Sequence, residues 1–100
     1  MDKEKLNKLS HLFWDYEFEE LDLLKDEHLI MRKVLSHGGI DDLKILVDLF
    51  GKKRIKEFLL ETRGRGIDKR RLRFYEAFFD LPRREVDSWI KDPLRKFWDK

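Results

Sequence analysis

From Leu43 to Phe50 the apolar positions fall at i, i+3, i+4 and i+7: Leu43, Leu46, Val47 and Phe50. That spacing places all four on one face of a helix. Asp41 is the expected N-cap and Gly51 the stop. The same period marks the neighbouring segments. A helix is predicted from Asp26, as its cap, to about His37, with Leu29, Ile30, Val34 and Leu35 inward and Gly38-Gly39 ending it in a left-handed turn. Another runs from about Lys52 to Glu61, with Ile55, Phe58 and Leu59 inward. Lys3 to Phe13 reads as a short first helix with a modest stripe of Leu6, Leu9 and Phe13.

One stretch breaks the helical period. In LFWDYEFEELD, residues 12–22, the aromatics Phe13, Trp14, Tyr16 and Phe18 alternate with acids. Alternation suggests a strand, but no second strand is at hand to satisfy its backbone groups. The expectation is an extended connector that plugs aromatic rings into a helical core. The strip could also mimic nucleic acid or dock a basic partner.

The densest stretch is RGRGIDKRRLRFYEAFFDLPRREV, residues 63–86. Arg63-Gly64-Arg65-Gly66 is expected to be a flexible basic turn. Asp68 then caps a helix from Lys69 to about Asp80, which halts before Pro82. Leu72, Tyr75 and Phe79 share its inner face, widened by Phe74 and Phe78, and Arg71 lies toward that side with its head in solvent. Lys69, Arg70, Arg73, Glu76 and Asp80 take the outer face. Pro82 suits the first position of a further helix with Val86, Trp89 and Ile90 inward, and Asp92-Pro93 restarts a last short helix holding Leu94, Phe97 and Trp98. The prediction is one all-α domain, residues 1–100, of six or seven short helices.

Composition adds a compartment and a charge pattern. With no cysteine there is neither a disulfide framework nor a thiolate metal site. The first ten residues are too charged for a signal peptide, and no apolar run approaches a membrane span. A cytoplasmic protein without membrane contact is expected. Charged residues make up 44 % of the chain, glutamine is absent and Asn7 is the only asparagine, a thermophile-like composition. The net charge of +2 conceals an asymmetry. Residues 1–51 carry seven Lys and Arg against twelve Asp and Glu, a balance of −5. Residues 52–73 carry ten against three, or +7, and residues 74–100 carry six of each. Lys52, Lys53, Arg54 and Lys56 crowd a helix N-terminus, where the macrodipole favours anions. Either an anionic ligand offsets them or acids such as Asp48 and Glu57 do, the acids being the default.

Catalytic chemistry has no foothold in the motifs. His11, His28 and His37 make no metal-ligand spacing. Ser10, Ser36, Thr62 and Ser88 lack the glycines of a nucleophile elbow. No GxxxxGK loop exists, and no strand precedes Gly64 and Gly66 as a dinucleotide-binding turn requires. A non-enzyme without cofactor is expected.

Three segments together resemble a small prokaryotic family of uncharacterised proteins. They are LFWDYEFEELD, HLIMRKVLSHGGIDDLKILVDLFGKKRIKEFL and TRGRGIDKRRLRFYEAFFDLPRREV, spanning roughly residues 12–87. The resemblance implies an antitoxin-like partner of a nucleotidyltransferase-type toxin of the abortive-infection kind, with a helix-turn-helix-like fold. Family members tend to show Ser-Pro-Lys-Thr where this chain has Asp68-Lys69-Arg70-Arg71, which adds charge and removes hydroxyls.

Two binding roles follow. A protein-docking module would use Trp14, Tyr16 and Glu17 of the acidic-aromatic strip together with Phe97 and Trp98, because aromatics concentrate binding energy. A nucleic-acid binder would use Lys52, Lys53, Arg54, Lys56, Arg63, Arg65, Arg70 and Arg73 on phosphates. Antitoxins often do both. A self-associating domain without a ligand is the third reading.

Overall fold

The computed structural model describes residues 2–14 and 21–92. Among these residues the protein is all-α. Its helices are α1 (Asp2–Asn7), α2 (Glu27–His37), α3 (Ile40–Phe50), α4 (Lys52–Thr62), α5 (Lys69–Phe78) and α6 (Arg83–Lys91), with a 3-10 turn at Ser10–Leu12. The chain divides into two compact units, Met1–Gly51 and Lys52–Lys100.

In the first unit α3 packs against both α1 and α2, and α2 also meets the 3-10 turn. The expected Lys3–Phe13 helix is interrupted: α1 ends at Asn7 and the chain tightens through Ser10–Leu12. The interruption still seats Leu6, Leu9, Leu12 and Phe13 in the core. Ile30, Met31, Val34 and Leu35 of α2 are buried, as are Leu43 and Leu46 of α3, while Leu29, Val47 and Phe50 are half-buried. Met31 is a core residue that the apolar count missed.

Several caps differ from expectation. Asp26 holds the N-cap position of α2, but its carboxylate accepts from Asp22 N–H at 2.8 Å instead of from the helix. Asp22 in turn accepts from Leu24 and Lys25 N–H, at 2.8 and 3.1 Å. Those amides, Lys25 first, hold its carboxyl below the usual value. Gly38 and Gly39 are not left-handed, with φ of −77° and −94°. Gly38 serves a close approach: a Cβ there would lie 2.7 Å from the Val34 carbonyl oxygen. Asp42, not Asp41, caps α3, accepting from Gly39 N–H at 2.9 Å. His11 Nε2 lies 3.2 Å from the same carboxylate, tying the 3-10 turn to the start of α3. Gly51 does stop α3 at φ 85°, as glycine permits.

In the second unit Ile55, Phe58 and Leu59 of α4, Leu72 and Tyr75 of α5, and Val86 and Trp89 of α6 are buried, together with Ile67, Phe79 and Leu81. α5 packs on α6. Asp68 caps α5 as expected, accepting from Arg71 N–H at 2.9 Å. α4 and α5 end alike: Arg63 at φ 56° and Asp80 at φ 54° hold the left-handed position. The following amides close back on the helix, Gly64 N–H to Leu59 O at 3.2 Å and Leu81 N–H to Glu76 O at 2.9 Å. So α5 stops at Phe78, before Asp80, because the chain reverses hand there. The Arg63–Gly66 turn is not loose. Gly64 is buried at φ 66°, and a Cβ on it would stand 2.6 Å from Leu72 Cδ2 and 3.3 Å from Trp89 Cε3. Pro82 precedes α6 by one residue, and its carbonyl accepts from Val86 N–H at 3.1 Å. The helix expected beyond Asp92, with Leu94, Phe97 and Trp98, lies outside the described residues, as do Tyr16, Glu17 and Phe18.

Candidate functional site

The basic residues of the second unit sort into two groups. Arg73 is committed internally: Nη1 donates to Glu76 Oε1 at 2.8 Å and Nη2 to Asp87 Oδ1 at 2.7 Å. The pair holds the Asp87 carboxyl below its ordinary range, chiefly through that hydrogen bond, and pushes the Arg73 guanidinium up. Arg54 stands 3.9 Å from both Glu57 and Glu61. Arg71 lies 3.7 Å from Asp68 and hydrogen-bonds the Tyr75 side chain, whose phenol burial pushes up. The expectation that acids neutralise the α4 cations therefore holds for Arg54, through Glu57 and also Glu61.

Lys52, Lys53, Lys56, Arg63 and Arg70 form the second group. Among the described residues none of these five has a carboxylate within ion-pair reach. Lys52, Lys53, Arg63 and Arg70 are exposed and Lys56 is half-buried. Arg65 is exposed at the turn. Sequence reasoning therefore grouped eight cations that the structure divides, with Arg54 and Arg73 already engaged.

Helical spacing aligns three of the five cations with aromatic rings. Lys52 and Lys56 are one turn apart on the same side of α4. Lys52 Nζ sits over the Phe78 ring, 4.6 Å from its centroid, a cation–π geometry. Phe78 stacks on Phe74 with centroids 5.7 Å apart and planes inclined by 24°. Phe74 was expected to widen the inner face of α5, yet it is 42 % exposed. Its position explains this: Leu72, Tyr75 and Phe79 already fill the inner face, and Phe74 lies one turn after Arg70 on the outer one. The result is a strip running Lys56, Lys52, Phe78, Phe74, Arg70. The acids of these two helices, Glu57, Glu61 and Glu76, lie on other faces, where they hold Arg54 and Arg73.

Sequence reasoning missed two features. Phe74 as a surface ring was hidden because a helical count assigns every apolar residue near the stripe to the core. Arg83, Arg84 and Lys91 line an open depression on α6 with Asp87 and Ser88. Their even charge balance with nearby acids concealed them.

In the first unit Trp14 follows the 3-10 turn and is 82 % exposed. Lys33 Nζ lies 5.1 Å from its ring centroid. It is the one docking residue of the five expected that falls within the described residues. Among those residues no three His, Asp or Glu side chains converge to hold a metal ion, and no helix is long and apolar enough to cross a membrane.

Residues 9–59 match the sequence profile of DUF6922, a family of unknown function. The chain belongs to that family. The match covers the 3-10 turn through most of α4 and ends before the Arg63–Gly66 turn and α5. It thus takes in the first two segments of the resemblance noted from the sequence and stops short of the third. No curated protein and no solved structure matches the chain. The basic-aromatic strip straddles the edge of the family match, with Lys52 and Lys56 inside it and Arg70, Phe74 and Phe78 beyond.

Proposed function

We propose that the protein is a non-catalytic binding module that takes nucleic acid on the strip formed by α4 and α5. The observation that supports this is a row of cations, Lys52, Lys56 and Arg70, interleaved with the Phe74–Phe78 stack and free of carboxylates among the described residues. Cations beside aromatic rings bind phosphate and bases together. A helix-turn-helix docking is not favoured, because one residue, Gly51, separates α3 from α4, where that motif uses about three or four. The test is fluorescence anisotropy of the purified chain with labelled DNA, single-stranded and duplex, at roughly 50 and 200 mM salt. Binding that weakens with salt is expected. No binding of either probe at the lower salt refutes the reading.

Trp14 favours a second, compatible role. A tryptophan exposed to this degree on a unit of balance −5 supports docking on a basic protein surface. With the resemblance described above, the partner would be a nucleotidyltransferase-type toxin and this chain its antitoxin-like subunit. Co-expression with such an enzyme encoded beside it tests this. A complex that Trp14→Ala disrupts while the isolated chain stays folded is the expected result, and no complex with the unaltered chain refutes it.

A further inference from the structure

We propose that the open end of the Phe74–Phe78 stack is a base-stacking site for single-stranded nucleic acid, with Lys52, Lys56 and Arg70 taking the flanking phosphates. This rests on the nucleic-acid reading above, narrows it to one strand form and adds the rings Phe74 and Phe78, which the sequence pattern assigns to the inner face.

The geometry is a stack with one side occupied. Lys52 covers Phe78 at 4.6 Å. Phe78 lies against Phe74 at 5.7 Å with nearly parallel planes. Phe74 also meets Tyr75 in an edge-to-face contact, centroids 5.6 Å apart and planes inclined by 62°. A ring 42 % exposed at the end of such a stack offers a flat apolar surface to the next layer. A base supplies that layer whatever its identity, because every base has a π-face.

Charge decides which flat ligand fits. The cations of α4 and of the outer face of α5 that make no ion pair among the described residues are Lys52, Lys53, Lys56 and Arg70. An uncharged aromatic ligand would leave these cations without a counterpart. A polyanion carrying bases satisfies rings and cations at once. Duplex forms are disfavoured, because their bases stack on one another and present only edges and backbone, whereas a single strand can turn a base face outward.

The Arg63–Gly66 turn and α5 carry further cations, but they take no part in this proposal. Arg73 in particular is held by Glu76 and Asp87 and is the internal control. Its replacement removes the same formal charge from the same helix as replacement of Arg70 does.

The experiment titrates the full chain against labelled mixed-sequence single strands of about 15 nucleotides, in DNA and RNA form, and against the duplex of the same sequence. Single strands of one or both sugars should bind at least about 10-fold tighter than the duplex, and the better of the two identifies the source. Phe74→Ala should weaken single-strand binding roughly 5- to 150-fold, and Phe74→Trp should keep it. Circular dichroism confirms that α5 persists in both variants. Arg70→Ala should lower the salt slope by about 0.7, and Arg73→Ala should leave it unchanged. Single-strand binding unaltered by Phe74→Ala, or duplex bound as tightly as single strand, overturns the stacking site while leaving nucleic-acid binding intact. Absence of binding to every probe overturns both. Displacement of the strand by polyglutamate at equal charge concentration also overturns the stacking site and assigns the face to an acidic protein.

Discussion

Gly64 and Gly66 stand two residues apart in one turn, both with positive φ, and yet they should respond differently to the same methyl group. At Gly64 a Cβ would meet Leu72 Cδ2 at 2.6 Å and Trp89 Cε3 at 3.3 Å, within a buried site. At Gly66, φ 84°, nothing lies within 4 Å. Gly66→Ala therefore carries only the left-handed backbone term, roughly 1–2 kcal/mol. Gly64→Ala adds overpacking of about 1–3 kcal/mol to that term. Urea denaturation of the two variants checks the difference, and equal losses would mean that Leu72 and Trp89 give way freely. Asp87 supplies a pH signature at the same scale. Arg73 lowers its folded pKa below the ordinary 3.8. A depressed carboxyl contributes stability that is complete above its unfolded value and is lost as pH falls through the folded one. The stability gap between the unaltered chain and Asp87→Asn should hold steady above about pH 5 and close as pH falls through the lowered folded value. A gap that persists in acid would assign it to packing instead of charge.

Helix ends show where sequence reading succeeds and where it fails. Asp68 and Asp26 look alike as caps, each an aspartate ahead of an apolar-periodic run. Asp68 does cap α5, at 2.9 Å to Arg71 N–H, whereas Asp26 is drawn to Asp22 N–H at 2.8 Å. Asp68→Ala should cost about 1 kcal/mol, and Asp26→Ala should disturb the Asp22–Asp26 turn while leaving the α2 start unchanged. Amide exchange at the first turn of each helix reads this out, with loss of protection at α5 alone. The inner faces of α3, α4 and α6 were legible, because Leu43, Leu46, Ile55, Phe58, Leu59, Val86 and Trp89 follow a period that burial enforces. Cap partners were not, since a carboxylate chooses among nearby amides by local turns that periodicity does not encode. The fate of each cation was illegible for a related reason. Arg70 and Arg73 share the outer face in the pattern, and Glu76 one turn on, together with Asp87 arriving from α6, separates them.

Charge over the whole molecule is divided at Gly51, the boundary of the two compact units. The first carries −5 and the second +7, so the chain's net +2 describes neither. A binding reaction governed by net charge would respond weakly and diffusely to salt. One governed by local contacts releases a fixed number of counterions. Three cations on the strip, Lys52, Lys56 and Arg70, set that number. The plot of log Kobs against log salt for a single strand should therefore be linear with a slope of roughly −2, at about 0.7 per phosphate. Charge removal elsewhere then discriminates. Arg73→Ala destabilises the fold through Glu76 and Asp87 but keeps the slope, because its charge is already compensated within the unit. Lys56→Ala does the reverse, shifting the slope by about 0.7 with little effect on stability. If every cationic substitution in residues 52–73 moved the slope alike, binding would follow the diffuse field of the second unit. The strip formed with Phe74 and Phe78 would then be incidental.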